Sequence, residues 1–141
     1  MLILLPIKRE RNGLLKMKND YSFEAFKKAF PKLFEQGVRC GFSLPKGWGP
    51  IVWKLCENLD SVEHRNVPLV IEQVKSKFGG LRFYTKGETK EDAYHIKHIE
   101  YTSYLVCMSC GTTERVSEDL DEWGGGRSFC PPCNEERKNR M

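Results

Sequence analysis

The sequence predicts an α+β fold: helices packed on a small antiparallel hairpin, with a four-cysteine finger at the C-terminal end. Three observations carry that expectation. Apolar residues recur at helical spacing in stretches on either side of the chain's middle. From Pro68 the period drops to two, and the pair Gly79-Gly80 separates two alternating runs. Last, Cys107/Cys110 and Cys130/Cys133 form two Cys-x-x-Cys pairs with nineteen residues between them.

Taken in order, the elements follow from local chemistry. Leu2 and Leu4 suit a short edge strand or coil followed by a loop; the alternative for residues 1–20, which carry Lys8, Arg9, Arg11, Lys16 and Lys18, is a mobile basic arm. Ser22 is placed to cap a helix over 23–36, whose stripe is Phe23, Phe26, Phe30, Leu33 and Phe34. Pro31 falls inside it, so one kinked helix or two short ones are expected. Gly37 ends the segment. A loop shaped by Gly41, Pro45, Gly47, Gly49 and Pro50 carries Phe42 and Trp48. Pro50 then opens a second helix to about Glu63, with Ile51, Leu55, Cys56 and Leu59 on one side.

In the hairpin Leu81, Phe83 and Thr85 share one face, and Arg82 and Tyr84 the other. A third helix is expected from Glu88 to about Val106, with Ala93, Ile96, Ile99 and Ser103 inward and Tyr94, Tyr101 and Tyr104 flanking that stripe. It runs straight into Cys107 with no Gly/Ser- or Pro-rich linker. The expected organisation is therefore a helical and hairpin core over 1–106 with a metal-binding module over 107–141 docked on it. At 141 residues the chain suits one core with a small appendage.

Cys107, Cys110, Cys130 and Cys133 have the spacing of a closed tetrahedral shell, for which structural Zn2+ is the expected ion. Gly111 and the run Gly124-Gly125-Gly126 supply backbone freedom beside the knuckles, and Pro131 and Pro132 start the tail as a short helix. A knuckle, a hairpin and a knuckle at a helix start would make a treble-clef-like finger; a flat ribbon is the alternative if the tail forms no helix. Redox pairs or disulfides are the competing reading, and two pairs at ribbon spacing weigh against it. Cys40 and Cys56 lack metal spacing and are expected to be buried free thiols. Met1–Pro6 is too short for a signal sequence or a membrane span, so the reducing cytoplasm is expected and no membrane partner.

The formal charge of +4 is modest but uneven: cations gather in 8–32 and 75–86, while Glu114, Glu118, Asp119, Asp121 and Glu122 make the finger acidic. Lys75, Lys77, Arg82, Tyr84 and Lys86 around the hairpin form the best candidate contact surface, with Trp48 as an aromatic anchor. No catalytic residue is assigned. A four-cysteine shell has no open position for water, and the phosphate-loop, dinucleotide and HExxH patterns are absent. His95 and His98 sit three apart on the third helix and read as exposed residues without a third ligand.

The run Gln73-Val-Lys-Ser-Lys-Phe-Gly-Gly-Leu-Arg-Phe-Tyr84, together with Gly47-Trp48 and the two cysteine knuckles, resembles small uncharacterised proteins of bacteriophages and prophages. The resemblance covers roughly residues 47–133 and implies a setting, the bacterial host cytoplasm, with no activity attached. The expected function is binding and modulation of a host protein or complex, such as a defence system. A nucleic-acid-binding accessory protein using the basic hairpin is the rival, and an enzyme of unknown type the third class. Partner identity and oligomeric state are open at this level.

Overall fold

The first helix is shorter than its apolar stripe. α1 (Phe23–Ala29) is capped by Ser22, whose Oγ accepts the Ala25 N–H at 3.2 Å. It stops at Phe30 (φ −128°, ψ 63°), because a residue before proline is pushed out of the helical region. Residues 31–36 continue as turns, yet Phe26, Phe30, Leu33 and Phe34 are all buried. They join Phe23, Phe42 and Trp53 in an aromatic cluster, with Phe26 and Trp53 at 4.9 Å between ring centroids and Phe23 stacked on Phe42 at 5.1 Å. The stripe thus marks the core correctly even where no helix carries it.

The computed structural model describes residues 20–120 and 126–140. The expected strand at Leu2 and Leu4, the basic arm before Asp20, and Asp121, Glu122, Gly124 and Gly125 lie outside the described residues. A single tight turn, Lys46–Trp48, leads into α2 (Gly49–Asp60), with Pro50 in its first turn as expected. α2 ends three residues before Glu63 and buries Ile51, Val52, Leu55, Cys56 and Leu59.

The hairpin pairs β1 (Val70–Lys77) with β2 (Gly80–Lys86), and Lys77 opposite Gly80 closes it. Its turn is Phe78-Gly79 (φ 53° and 82°), one residue earlier than the expected Gly79-Gly80. Two consecutive positive φ angles match the twist of the strands, so the second glycine is released to the ladder. It is needed there: a Cβ on Gly80 would lie 2.2 Å from Cζ of Tyr104. A bulge at Glu72 shifts the register from Ile71 opposite Thr85 to Gln73 opposite Tyr84. Ile71 and Val74 therefore both reach the core with Leu81 and Phe83, which strict alternation along β1 does not allow.

Both edges of this two-stranded sheet are covered. Along β1, Ser43 N–H donates to Val74 O at 2.8 Å and Val74 N–H to Gly41 O at 3.1 Å. Along β2, side chains of α3 (Lys90–Ser103) do the same work: Ser103 Oγ accepts from Leu81 N–H at 2.8 Å and the Glu100 carboxylate from Phe83 N–H at 2.9 Å. Edge groups that would otherwise invite another strand are satisfied. Cys40 lies beside the β1 edge with its side chain exposed, contrary to the buried thiol expected, because the backbone there faces the strand and the side chain faces solvent. Cys56 is buried as expected, and burial pushes its thiol pKa up.

α3 begins in a capping box, Thr89 with Asp92. Asp92 is 1% exposed and receives both terminal nitrogens of Arg65, one at 3.0 Å, while Arg65 also donates to Leu59 O at 2.8 Å. This ties the end of α2 to the start of α3. Burial opposes the Asp92 charge, but hydrogen bonds from Arg65 and Thr89 outweigh it and hold the carboxyl below its ordinary value. A depressed folded pKa contributes stability that is present above the unfolded value, about 4, and is lost as pH falls through the folded one. Asp92→Ala is expected to cost about 3–5 kcal/mol at neutral pH, since it leaves Arg65 semi-buried without a counter-charge. Denaturant titrations should show the gap from wild type narrowing below about pH 4.

Candidate metal centre

Beyond α3 the chain forms a knuckle at Cys107–Cys110, an antiparallel pair β3 (Ser117–Leu120) and β4 (Gly126–Phe129), and then α4 (Pro131–Asn139). The order knuckle, hairpin, helix is that of a treble clef. The tail is helical, so the flat ribbon does not apply.

Each knuckle is shaped by its own backbone. Gly111, at φ 85°, lets its N–H return to Cys107 O at 3.0 Å, and Cys107 N–H donates to Thr112 O at 2.9 Å. The amides of Ser109 and Cys110 point at Cys107 Sγ from 3.4 and 3.5 Å. In the second knuckle Cys130 is the cap residue of α4, Pro131 and Pro132 fill the first turn, and Asn134 N–H donates to Cys130 O at 2.9 Å. That turn swings Cys133 back toward Cys130.

The four Sγ atoms all lie within 4.8 Å of one another, and Cys110 and Cys130 are 3.8 Å apart. Sulfurs about 2.3 Å from a tetrahedral ion are spaced about 3.8 Å, so the cluster has the dimensions of a metal shell. The cysteines are unbridged, and Cys107 and Cys130 are buried. Burial opposes ionisation of Cys107, but the amides of Cys110, Cys130 and Ser109 and the Cys130 thiol bring it to about 7. Burial and hydrogen bonding to Cys130 push Cys133 up to about 12, and Cys110 is raised by burial, by Cys130 and by the charge on Cys107. Four thiolates this close repel one another, and a divalent cation among them removes that cost. With all four positions taken by sulfur, an ion held there would have no open position for water and would serve a structural role.

The centre is clasped to the core by Gly47 and Trp48. Gly47 N–H donates to Met108 O at 2.9 Å, and Trp48 Nε1–H donates to Val106 O at 2.9 Å. Met108 N–H in turn donates to Ser128 O at 2.8 Å, and Ser128 Oγ–H reaches Gly79 O at 2.6 Å, linking finger to hairpin turn. Trp48 is fully buried, which corrects its expected role as a partner contact. Its indole fills the core and its one donor is spent on the strap into Cys107. The flanking Gly47 and Gly49 were the available signal, since glycines mark close backbone approach.

The other expected contact residues do come together. Lys75 lies directly opposite Arg82, and Gln73 opposite Tyr84, so these side chains share the hairpin face turned away from the core. Lys77 reaches over the exposed Phe78 ring at 5.5 Å, and Lys86 pairs with Glu72 at 3.4 Å. Arg82 donates to Leu81 O at 3.0 Å and to Tyr104 Oη at 3.3 Å. Beside it opens a cavity of about 270 Å³ lined by Arg82, Lys97, Glu100, Tyr101 and Tyr104. Sequence reasoning passed over Lys97, whose signal was its place one turn before Tyr101. His95 lies 3.9 Å from Glu91 and His98 stacks on Tyr94; among the described residues neither joins a metal cluster. Among the described residues no helix is long and apolar enough to cross a membrane. Comparison of the chain with protein-family models, curated proteins and solved structures gives no match.

Proposed function

We propose that the protein is a zinc-stapled, non-catalytic accessory protein that binds nucleic acid through the outward face of its hairpin. The observation that carries this reading is the state of the charges there. Among the described residues Lys75, Lys77, Arg82 and Lys97 form no salt bridge; Glu72 is paired with Lys86, and Glu100, hydrogen-bonded to the Phe83 amide, faces Arg82 without a direct ion pair. Cations left unpaired on one face attract phosphates even where the chain's net charge is small. Tyr84, 41% exposed, adds a stacking surface between them. Zinc is the ion of this reading because an all-thiolate tetrahedral shell favours it among common cellular metals. The bacterial cytoplasm rests on the phage and prophage resemblance.

A second reading, modulation of a host protein, is favoured by α3. Tyr94 and Tyr101 on α3, and Leu105 in the turn that follows it, are 69, 72 and 63% exposed. Recovery of tagged protein from bacterial lysate, with zinc quantified in the same preparation, separates the two. Nucleic acid that co-purifies and is lost on nuclease treatment is the expected result, with one zinc per chain. A stoichiometric protein complex that survives nuclease would establish the second reading instead. Neutralising Lys75, Lys77 and Arg82 together is expected to reduce the slope of log affinity against log salt by about 2 for a single strand. An unchanged slope would remove the hairpin from the interface.

A further inference from the structure

We infer that the cavity between β2 and α3 is a nucleotide subsite, holding a phosphate between Arg82 and Lys97 and an unstacked base against Tyr101, so that the nucleic acid bound is single-stranded. This rests on the nucleic-acid reading of the hairpin face and adds to it the form of the ligand.

The geometry begins with α3. Lys97, Tyr101 and Tyr104 follow one another at intervals of four and three residues, which makes them a ridge along one side of the helix. Opposite that ridge stands Arg82 on β2, and the cavity of about 270 Å³ lies between them. Its floor is fixed: the Tyr104 ring occupies the space that a side chain at position 80 would take, and Tyr104 Oη accepts from Arg82. Arg82 is held a second time by Leu81 O, so its guanidinium is oriented beforehand and keeps further N–H donors for a phosphate. Lys97 supplies the second positive charge without an acid of its own.

Tyr101 differs from Tyr104 in being 72% exposed, a ring held on a rigid helix with one face open. Stacking on such a ring is open to any base, whatever its sequence. Glu100 is the one acid in the lining. Its Oε2 is taken by the Phe83 amide, which leaves Oε1 as an acceptor for a base N–H, and its charge also acts on Arg82. A duplex cannot use this arrangement. Its bases are stacked inside a convex rod, and a concavity between a strand edge and a helix admits only a base that has left the stack.

Lys75, directly across from Arg82, extends the positive track along the hairpin for the neighbouring phosphate. The occupant is therefore a strand running from the subsite over the hairpin face.

The test is fluorescence anisotropy of the full zinc-loaded chain with labelled DNA and RNA dodecamers, single-stranded and as duplexes of the same sequence. Single strands are expected to bind at least about tenfold more tightly than duplexes, through a stacking gain of this order. Tyr101→Ala should weaken single-strand binding about five- to hundredfold and leave duplex binding within about twofold, while Tyr101→Phe keeps the wild-type affinity. Because Tyr101 is exposed, unchanged melting of the variants confirms that folding is not what is measured. Equal binding of the two forms, or a Tyr101→Ala variant that binds single strands normally, overturns the subsite and leaves the hairpin reading standing. Binding of neither form overturns both.

Discussion

Replacing Cys130 by serine is expected to abolish metal binding and unfold the segment from Cys107 to Arg140, while residues 20–106 keep a cooperative core of lower stability. The expectation follows from how little else holds the finger. α4 has no buried residue, and among the described residues the buried groups of the module are Cys107, Ser128 and Cys130. So small an apolar contribution cannot offset the entropy of ordering two strands and a helix. A bound ion would supply the difference: structural zinc in small fingers binds with apparent free energies of about 10–16 kcal/mol, and that binding energy is folding energy. Cys130 is both ligand and cap residue of α4, so its loss opens the shell and frees the helix together. Zinc stoichiometry should fall from one to near zero, and amide exchange across 107–140 should become fast. Chelation of the wild-type protein should reproduce the pattern, as should acidification, because protons compete with the ion for thiolates. Cys40→Ser is the control: it alters an exposed thiol outside the cluster and should change stability by less than about 0.5 kcal/mol. Retention of a full equivalent of zinc by Cys130→Ser would refute the four-sulfur shell.

The architecture was legible where chemistry is local. Ser22, Pro50 and Pro131 mark helix starts by capping and by fixed φ, and each does start a helix. The cysteine spacing identified the cluster because two knuckles need only nearby backbone to form. What escaped depended on contacts between distant segments. The bulge at Glu72 lies beside the place where the segment at Gly41–Ser43 pairs with Val74 from outside, an encounter that no period in β1 announces. The hairpin turn moved by one residue because Gly80 had to accommodate Tyr104, which arrives from α3. Trp48 was misread for the same reason: a tryptophan in a glycine-rich loop suits a surface anchor until the strap it braces comes into view. Of the expected contact residues, Lys75, Arg82 and Tyr84 could be placed on one hairpin face from strand alternation alone, since pairing Lys75 with Arg82 puts both on that face. The cavity beside them required α3 to lie along the β2 edge, which only the Ser103 and Glu100 hydrogen bonds establish.

The same clasp gives the sharpest test of how core and finger communicate. Gly47→Ala would usually be favourable, because it restricts the unfolded chain and Gly47 does not occupy a positive φ. Here it is expected to cost about 3 kcal/mol or more, the upper range for overpacking. A Cβ on Gly47 would lie 2.2 Å from Cys107 O and 2.6 Å from both C and O of Met108. All three are backbone atoms of the first knuckle, so no side chain can rotate out of the way. Either the Gly47 N–H to Met108 O bond breaks or the knuckle moves and distorts the sulfur shell. Both outcomes couple core stability to metal affinity, and competition with a chromophoric chelator should show weaker zinc binding alongside the lower unfolding midpoint. Trp48→Phe provides the graded comparison, removing the donor to Val106 O, with an expected loss of about 1–3 kcal/mol and a smaller effect on the ion. Non-additivity then locates the cause. In a Cys130→Ser background, where the knuckle is already loose, Gly47→Ala should lose most of its cost and could even stabilise the core, by about 0.4–1 kcal/mol. Equal cost in both backgrounds would place the strain within the loop itself and remove Gly47 from the metal centre's support.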